Sequence, residues 1–156
     1  MHLALMFVSV SCDCTIPTNF QNNSVAFTAT YPGSVMSSLT TSTAFVFTGD
    51  VSNVGHGYNV SNGRFTAPVS GLYGFSLTIM LPPGYYVRME LVKNGHTFTK
   101  VWTGHRSYDR NMAINFIAAN LTAGDQVWVK YSGQTDSRKL YGEGVTTFTG
   151  YLIHEE

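Results

Sequence analysis

Residues 47–77 read FTGDVSNVGHGYNVSNGRFTAPVSGLYGFSL, and the spacing of the large side chains in this stretch decides how the chain folds. Five residues separate Phe47 from Asn53, four lead on to Tyr58, six to Phe65 and five to Gly71, after which Tyr73, Phe75 and Leu77 alternate. Successive side chains of a strand point to opposite faces, so Tyr73, Phe75, Leu77 and Ile79 share one face. Pro82, Pro83 and Gly84 end that strand, since proline has no N–H to give a ladder. Gly55, Gly57 and Gly63 read as turn residues, and residues 65–71, with Pro68 among them, read as a shaped connection into the strand.

Working outward, Val87, Met89 and Leu91 alternate before Asn94 and Gly95. That pair suits the positive φ angles of a type I′ turn, and residues 97–102 run back as the second arm of a hairpin. Further strands are predicted over residues 112–121, 126–131 and 145–153, with a turn at 122–124. Residues 25–30 supply the first strand, and residues 44–47 its neighbour across the sandwich. No long window carries a helical period, so the chain is all-β. The strand at 112–121 is apolar on both faces, with Met112, Ile114 and Phe116 on one and Ala113, Ile117, Ala119 and Leu121 mostly on the other. A sheet facing water on one side would alternate apolar with polar, so the second face is expected to be buried between subunits.

The spacing from Phe47 to Leu77 resembles that of the globular head domain of complement C1q, although the family usually has Phe or Tyr where Leu77 stands. The far end resembles it too, through Gly124 and Asp125 ahead of an apolar strand and the close formed by Phe148, Gly150, Tyr151 and Leu152. The resemblance covers roughly residues 25–153. It implies a ten-stranded antiparallel jelly-roll β-sandwich of the C1q and tumour necrosis factor type, assembled as a tight homotrimer. No collagen-like Gly-X-Y repeat precedes the domain in this sequence, so the chain is most similar to soluble C1q-domain proteins of invertebrates. That likeness implies a secreted, extracellular pattern-recognition protein of innate immunity, lectin-like in binding carbohydrate or microbial surface patterns. The alternative from another class is a protein-binding ligand of the tumour necrosis factor type, or a structural module of the extracellular matrix.

With 156 residues and 44% hydrophobic composition, the chain suits one domain with one core. The expected division is a signal peptide and N-terminal segment over residues 1–20 and a globular domain over residues 21–156. Residues 3–10 are apolar and run into Ser9 and Ser11, as the tail of a secretory leader would. Cys12 and Cys14 are too close in sequence to bridge each other without strain, so interchain disulfides are the expectation in an oxidising compartment. Nine basic residues balance nine acidic ones, with no run of Lys and Arg, so neither nucleic acid nor membrane insertion is implied.

Catalysis finds no support in the motifs, and the chain is read as no enzyme. His2, His56, His96, His105 and His154 lack the paired spacing of a zinc site, and no Gly-x-Ser-x-Gly elbow is present. Binding residues are expected on loops carried by the rigid strands. In an antiparallel series alternate loops lie at one end, which groups residues 81–86, 103–111 and 132–144 at an apex opposite the C-terminus. The last two loops hold His105, Arg106, Tyr108, Asp109, Arg110, Asp136, Arg138, Lys139, Tyr141 and Glu143. Sugar hydroxyls take hydrogen bonds from Arg and Lys and give them to carboxylates, while aromatic rings pack on the C–H face of a pyranose. Asp109 and Asp136 could also meet around calcium, a hard cation that prefers oxygen ligands and the one cofactor considered. Asn22, Asn59 and Asn120 head Asn-x-Ser/Thr sequons and would accept glycans in the secretory pathway.

Overall fold

Tyr73, Phe75, Leu77 and Ile79 are fully buried, whereas Leu72, Ser76, Thr78 and Met80 between them stay partly exposed, so the strand that carries them builds the core with one face. The computed structural model describes residues 23–36, 41, 43–104, 109–133 and 139–156, with the side chains of residues 35, 36, 50 and 51 left aside. In chain order the strands are β1 (Ala26–Thr30), β2 (Val35–Met36), β3 (Gly49–Val54), β4 (Tyr58–Asn59), β5 (Arg64–Thr66) and β6 (Gly71–Leu81). They continue with β7 (Tyr86–Lys93), β8 (His96–Gly104), β9 (Asn111–Leu121), β10 (Gln126–Tyr131), β11 (Leu140–Tyr141) and β12 (Thr147–Glu155).

Ten of these strands form two five-stranded sheets, ordered β3-β1-β12-β6-β9 and β4-β5-β10-β7-β8, and β11 with β2 makes a small separate ribbon. Every pairing is antiparallel. The sheets are the two layers of the jelly-roll sandwich the sequence implies, and the ribbon is an addition to it. Aromatic rings fill the space between the layers. Phe27 stacks on Phe65 at 5.1 Å between centroids and meets Phe148 edge-on at 4.9 Å. Such geometries let the positive ring edge meet the negative face.

The spacing that opens the sequence has a hydrogen-bonding explanation. Asn53 closes the turn before Tyr58 from both sides: its Nδ2 donates to the Tyr58 carbonyl at 2.8 Å and its Oδ1 accepts from the Tyr58 N–H at 3.1 Å. The buried Tyr58 hydroxyl then donates to the Phe47 carbonyl and accepts from the Phe47 N–H, each at 3.2 Å. Gly57 is less a turn residue than a close approach, since a Cβ there would meet the Phe65 ring. Gly55 and Gly63 are turn residues as expected, at φ 77° and 70°.

Two expectations need correction. Residues 44–47 form no strand; they touch the opposite sheet through an Ala44–Lys130 bridge and a 2.7 Å bond from the Phe45 N–H to the Val129 carbonyl. The connection read at residues 65–71 begins inside β5, which lies between β4 and β10.

At one end of the sandwich the β7–β8 hairpin turns through Asn94 and Gly95, with φ 48° and 89° as a type I′ turn requires. Asp125 ties this turn to the next, accepting from Asn94 Nδ2 at 2.7 Å, from the Thr122 N–H at 3.0 Å and from Lys93 Nζ at 3.0 Å. The two ends of the described chain lie here as well. Asn23 Nδ2 donates to both carboxylate oxygens of Glu155, at 2.9 and 3.0 Å, and the Glu156 N–H reaches the Ser70 carbonyl.

Candidate functional site

Strand direction sends three connections to the other end, and side chains from all three touch there. Leu81 pairs with Asn111 and Tyr86 with Gly104, so the loop between β6 and β7 lies beside the loop between β8 and β9. Arg110 from the second loop sets its guanidinium 5.0 Å from the centre of the Tyr141 ring in the third. Lys139 from the third sets its Nζ 4.8 Å from the ring of Tyr85 in the first. Each cation rests on the negative face of a ring, which holds two long side chains in fixed places.

Tyr141 is held by backbone. It pairs with Val35, and the following N–H groups of Gly142 and Glu143 donate to the carbonyls of Ser34 and Gly33 at 3.2 and 3.1 Å. No side chain fits at Gly142, where a Cβ would strike the Gly33 carbonyl. Thr146, fully buried, donates its hydroxyl to the Tyr141 carbonyl and accepts the Met80 N–H at 3.2 Å. The third loop is therefore pinned to β6 by a satisfied buried polar group. Glu143 projects from the same turn at φ 55° and is exposed.

Of the predicted apex residues, Asp109, Arg110, Lys139, Tyr141 and Glu143 are described, and they lie on the connections the strand parity assigned to this end, although the one read as a loop over residues 132–144 carries the short strand β11 with Tyr141 in it. His105, Arg106, Tyr108, Asp136 and Arg138 lie outside the described residues. Tyr85 belongs with this group and was not singled out in the sequence; its neighbours Pro83 and Gly84 read only as a strand stop. Asp109 is exposed, its carbonyl accepting from Asn111 Nδ2 at 3.2 Å, and among the described residues no three His, Cys, Asp or Glu side chains gather as a metal site would need. The surface offers two cations, the carboxylates of Asp109 and Glu143 and two tyrosines on a braced frame, which is chemistry for binding polyhydroxyl or anionic groups.

Asn59 and Asn120 are exposed. Asn59 Oδ1 accepts from the Ser61 N–H at 2.8 Å, and Asn120 lies near the far end, its carbonyl accepting from Lys93 Nζ at 2.8 Å. Asn22, Cys12 and Cys14 lie outside the described residues.

A second surface is apolar. Met112, Ile114 and Phe116 on the outer face of β9 are 55%, 68% and 53% exposed, and Phe116 stacks on Tyr151 of β12 at 6.4 Å. Gly74 on the intervening β6 makes room for that pair, since a Cβ there would lie 2.9 Å from Phe116 Cζ. Both faces of β9 carry apolar side chains as the sequence indicated: Ala113 and Ile117 pack half-buried against the core, whereas Met112, Ile114 and Phe116 stay exposed.

Comparison with known proteins agrees with this architecture. The family described as C1q domain matches residues 26–153. Human complement C1q tumor necrosis factor-related protein 3 is 29% identical over 113 residues, covering 70% of this chain and 44% of the relative. The heavy metal-binding protein HIP of Mytilus edulis is 30% identical over 102 residues, covering 65% of this chain and 48% of that protein. The chain thus spans less than half the length of these relatives. Among solved structures, the globular domain of zebrafish complement 1qA superposes with a TM-score of 0.69 at 18% identity, covering 85% of this chain and 99% of that one. The Eiger tumour necrosis factor of S. frugiperda gives 0.68 at 12% identity, covering 85% and 94%. At such identities the structures speak for the fold alone, whereas the family match runs across both sheets and the apex loops: the chain belongs to the C1q domain family.

Proposed function

We propose that this chain is a secreted, non-enzymatic recognition protein of innate immunity that binds carbohydrate or microbial surface patterns through its apex. The observation that carries the reading is the meeting of three loops there, with Arg110 on Tyr141 and Lys139 on Tyr85. Cations already seated on rings lose little freedom when a sugar arrives, so more of the contact energy is kept. His105, Arg106, Tyr108, Asp136 and Arg138 complete the proposed surface, and Asp109 with Asp136 is the proposed calcium pair.

The proposed assembly is a homotrimer closed through the exposed face of Met112, Ile114, Phe116 and Tyr151, because a contiguous apolar patch on a water-soluble surface marks an interface. Three apices pointing the same way would raise avidity over a single site by roughly 10²–10⁴. The same reading takes residues 1–20 as leader and N-terminal segment, residues 21–156 as the globular unit, Cys12 and Cys14 as interchain links and Asn22, Asn59 and Asn120 as glycan acceptors.

A glycan array probed with the purified protein, with and without a chelator, tests the site. The expected result is binding that falls about tenfold or more in Arg110→Ala and in Tyr141→Ala while the oligomer persists, a loss of about 1.4 kcal/mol or more. Loss on chelation supports the calcium pair, and unchanged binding removes it. Failure to bind any glycan or bacterial surface would overturn the lectin reading in favour of a protein-binding ligand or matrix module.

A further inference from the structure

Strand pairing gathers charge that the linear sequence scatters. Arg64 pairs with Trp128, and Trp128 with Val92; Lys130 pairs with Glu90, and Glu90 with Lys100; Arg88 pairs with Trp102. Paired residues share a face, and so do alternate residues along a strand. The inner face of this sheet is taken by Phe65, Val127, Val129, Met89, Leu91 and Val101, all buried. Arg64, Arg88, Lys100 and Lys130, four of the nine basic residues, therefore stand together on the outer face of β5, β10, β7 and β8.

The one acidic residue of these four strands is Glu90, and its charge is shared between Lys130 and Lys100. Its carboxylate accepts from the Thr97 hydroxyl at 2.7 Å and lies 3.3 Å from Lys130 Nζ and 3.7 Å from Lys100 Nζ. Burial alone would raise its pKa, but the Thr97 hydrogen bond and the two ammonium groups outweigh burial and hold it below the usual carboxylate value. Four cations against one anion leave these rows at a formal +3 in a chain whose net charge is 0. The cations are also held in place. Arg64 lies 4.0 Å above the Trp128 ring and donates to Gln126 Oε1 at 2.9 Å, and Arg88 lies 4.8 Å from the ring of Trp102, which is 63% exposed.

We propose that this sheet face is a second binding surface, distinct from the apex, and that its ligand is a linear anionic polysaccharide bearing sulfate or carboxylate groups. With strands about 4.8 Å apart and alternate residues about 7 Å apart, Arg64 and Trp102 mark a diagonal of about 20 Å with cations along it. A row of fixed positive charge on a flat face matches a repeating anion better than one enclosed phosphate. Planar guanidinium groups suit sulfate and carboxylate oxygens, and the Trp rings offer apolar planes to the C–H faces of the sugar.

Immobilised dextran sulfate, with unsulfated dextran as its control, tests this on the whole chain. Wild type should bind the sulfated polymer more tightly than the unsulfated one, and more weakly as salt rises from about 0.05 M to about 0.3 M, because ions released from the polymer drive the contact. The doubles Arg64→Ala with Lys130→Ala and Arg88→Ala with Lys100→Ala, made in wild type and again in an Arg110→Ala background that weakens the apex, should each bind about tenfold more weakly or worse than their own parent. Lys100→Glu serves as a variant that keeps the packing, since that side chain is 54% exposed, and it should also weaken binding. Equal binding by all these variants, no binding at low salt, or tighter binding to duplex DNA than to dextran sulfate would overturn the proposal. Comparison within the Arg110→Ala background reads this face whether or not the apex binds glycans.

Discussion

Asp125 accepts from Asn94, Thr122 and Lys93 at once, and these bonds, led by the one from Asn94, lower its pKa from 3.8 to about 2. A carboxyl depressed in the folded state stabilises the fold above its unfolded pKa, so this contribution is complete above about pH 5 and fades as pH falls toward 2, by up to about 2 kcal/mol. Asp125→Asn should accordingly melt below wild type at neutral pH, with the gap closing in acid; equal melting curves at pH 7 would refute it. Tyr58 behaves in the opposite sense. Burial lifts its hydroxyl to about 12, so stability tied to the neutral phenol is present below about pH 10 and lost as pH rises toward 12. Tyr58→Phe leaves the buried Phe47 N–H and C=O without their partner at a cost of about 1–3 kcal/mol, lowering Tm by about 2–4 °C per kcal/mol. A Tm within a degree of wild type would show those groups are satisfied otherwise. The positions of Asn53, Tyr58, Asn94 and Asp125 were legible as spacing and turn chemistry. Most of their side-chain bonds were not, because Tyr58 to Phe47 and Asn94 to Asp125 span elements whose relative placement no local pattern gives.

The elements differ in how plainly they read. β6 and the β7–β8 hairpin declared themselves through alternation, proline stops and the Asn-Gly pair, all local signals. β3 was passed over and β5 was merged into a connection, because short strands among Gly55, Gly57 and Gly63 gain their order from partners distant in sequence. β9 was readable on both faces, and its outer face carries a prediction of its own. Ile114→Asp puts a charge at the most exposed point of the apolar row without entering the core, so the variant should stay folded by circular dichroism while light scattering shows the oligomer reduced to monomer. An unchanged mass would place the interface elsewhere.

For the whole molecule, the two candidate binding regions were legible to different degrees. Loop parity grouped the apex connections, since that needs only the count and direction of strands. The basic face could not be seen, because Arg64, Arg88, Lys100 and Lys130 become neighbours only through the registers joining β5, β10, β7 and β8. An even charge balance along a chain therefore says little about the balance on one side of a sheet. The hydrogen bonds from Asn23 to Glu155 and from Glu156 to Ser70 have a practical bearing. Asn23 and Glu156, the ends of the described residues, lie on the side away from Arg110 and Tyr141, so a molecule fixed to a sensor chip or bead through Glu156 would stand upright with its three apex loops turned toward the surrounding medium.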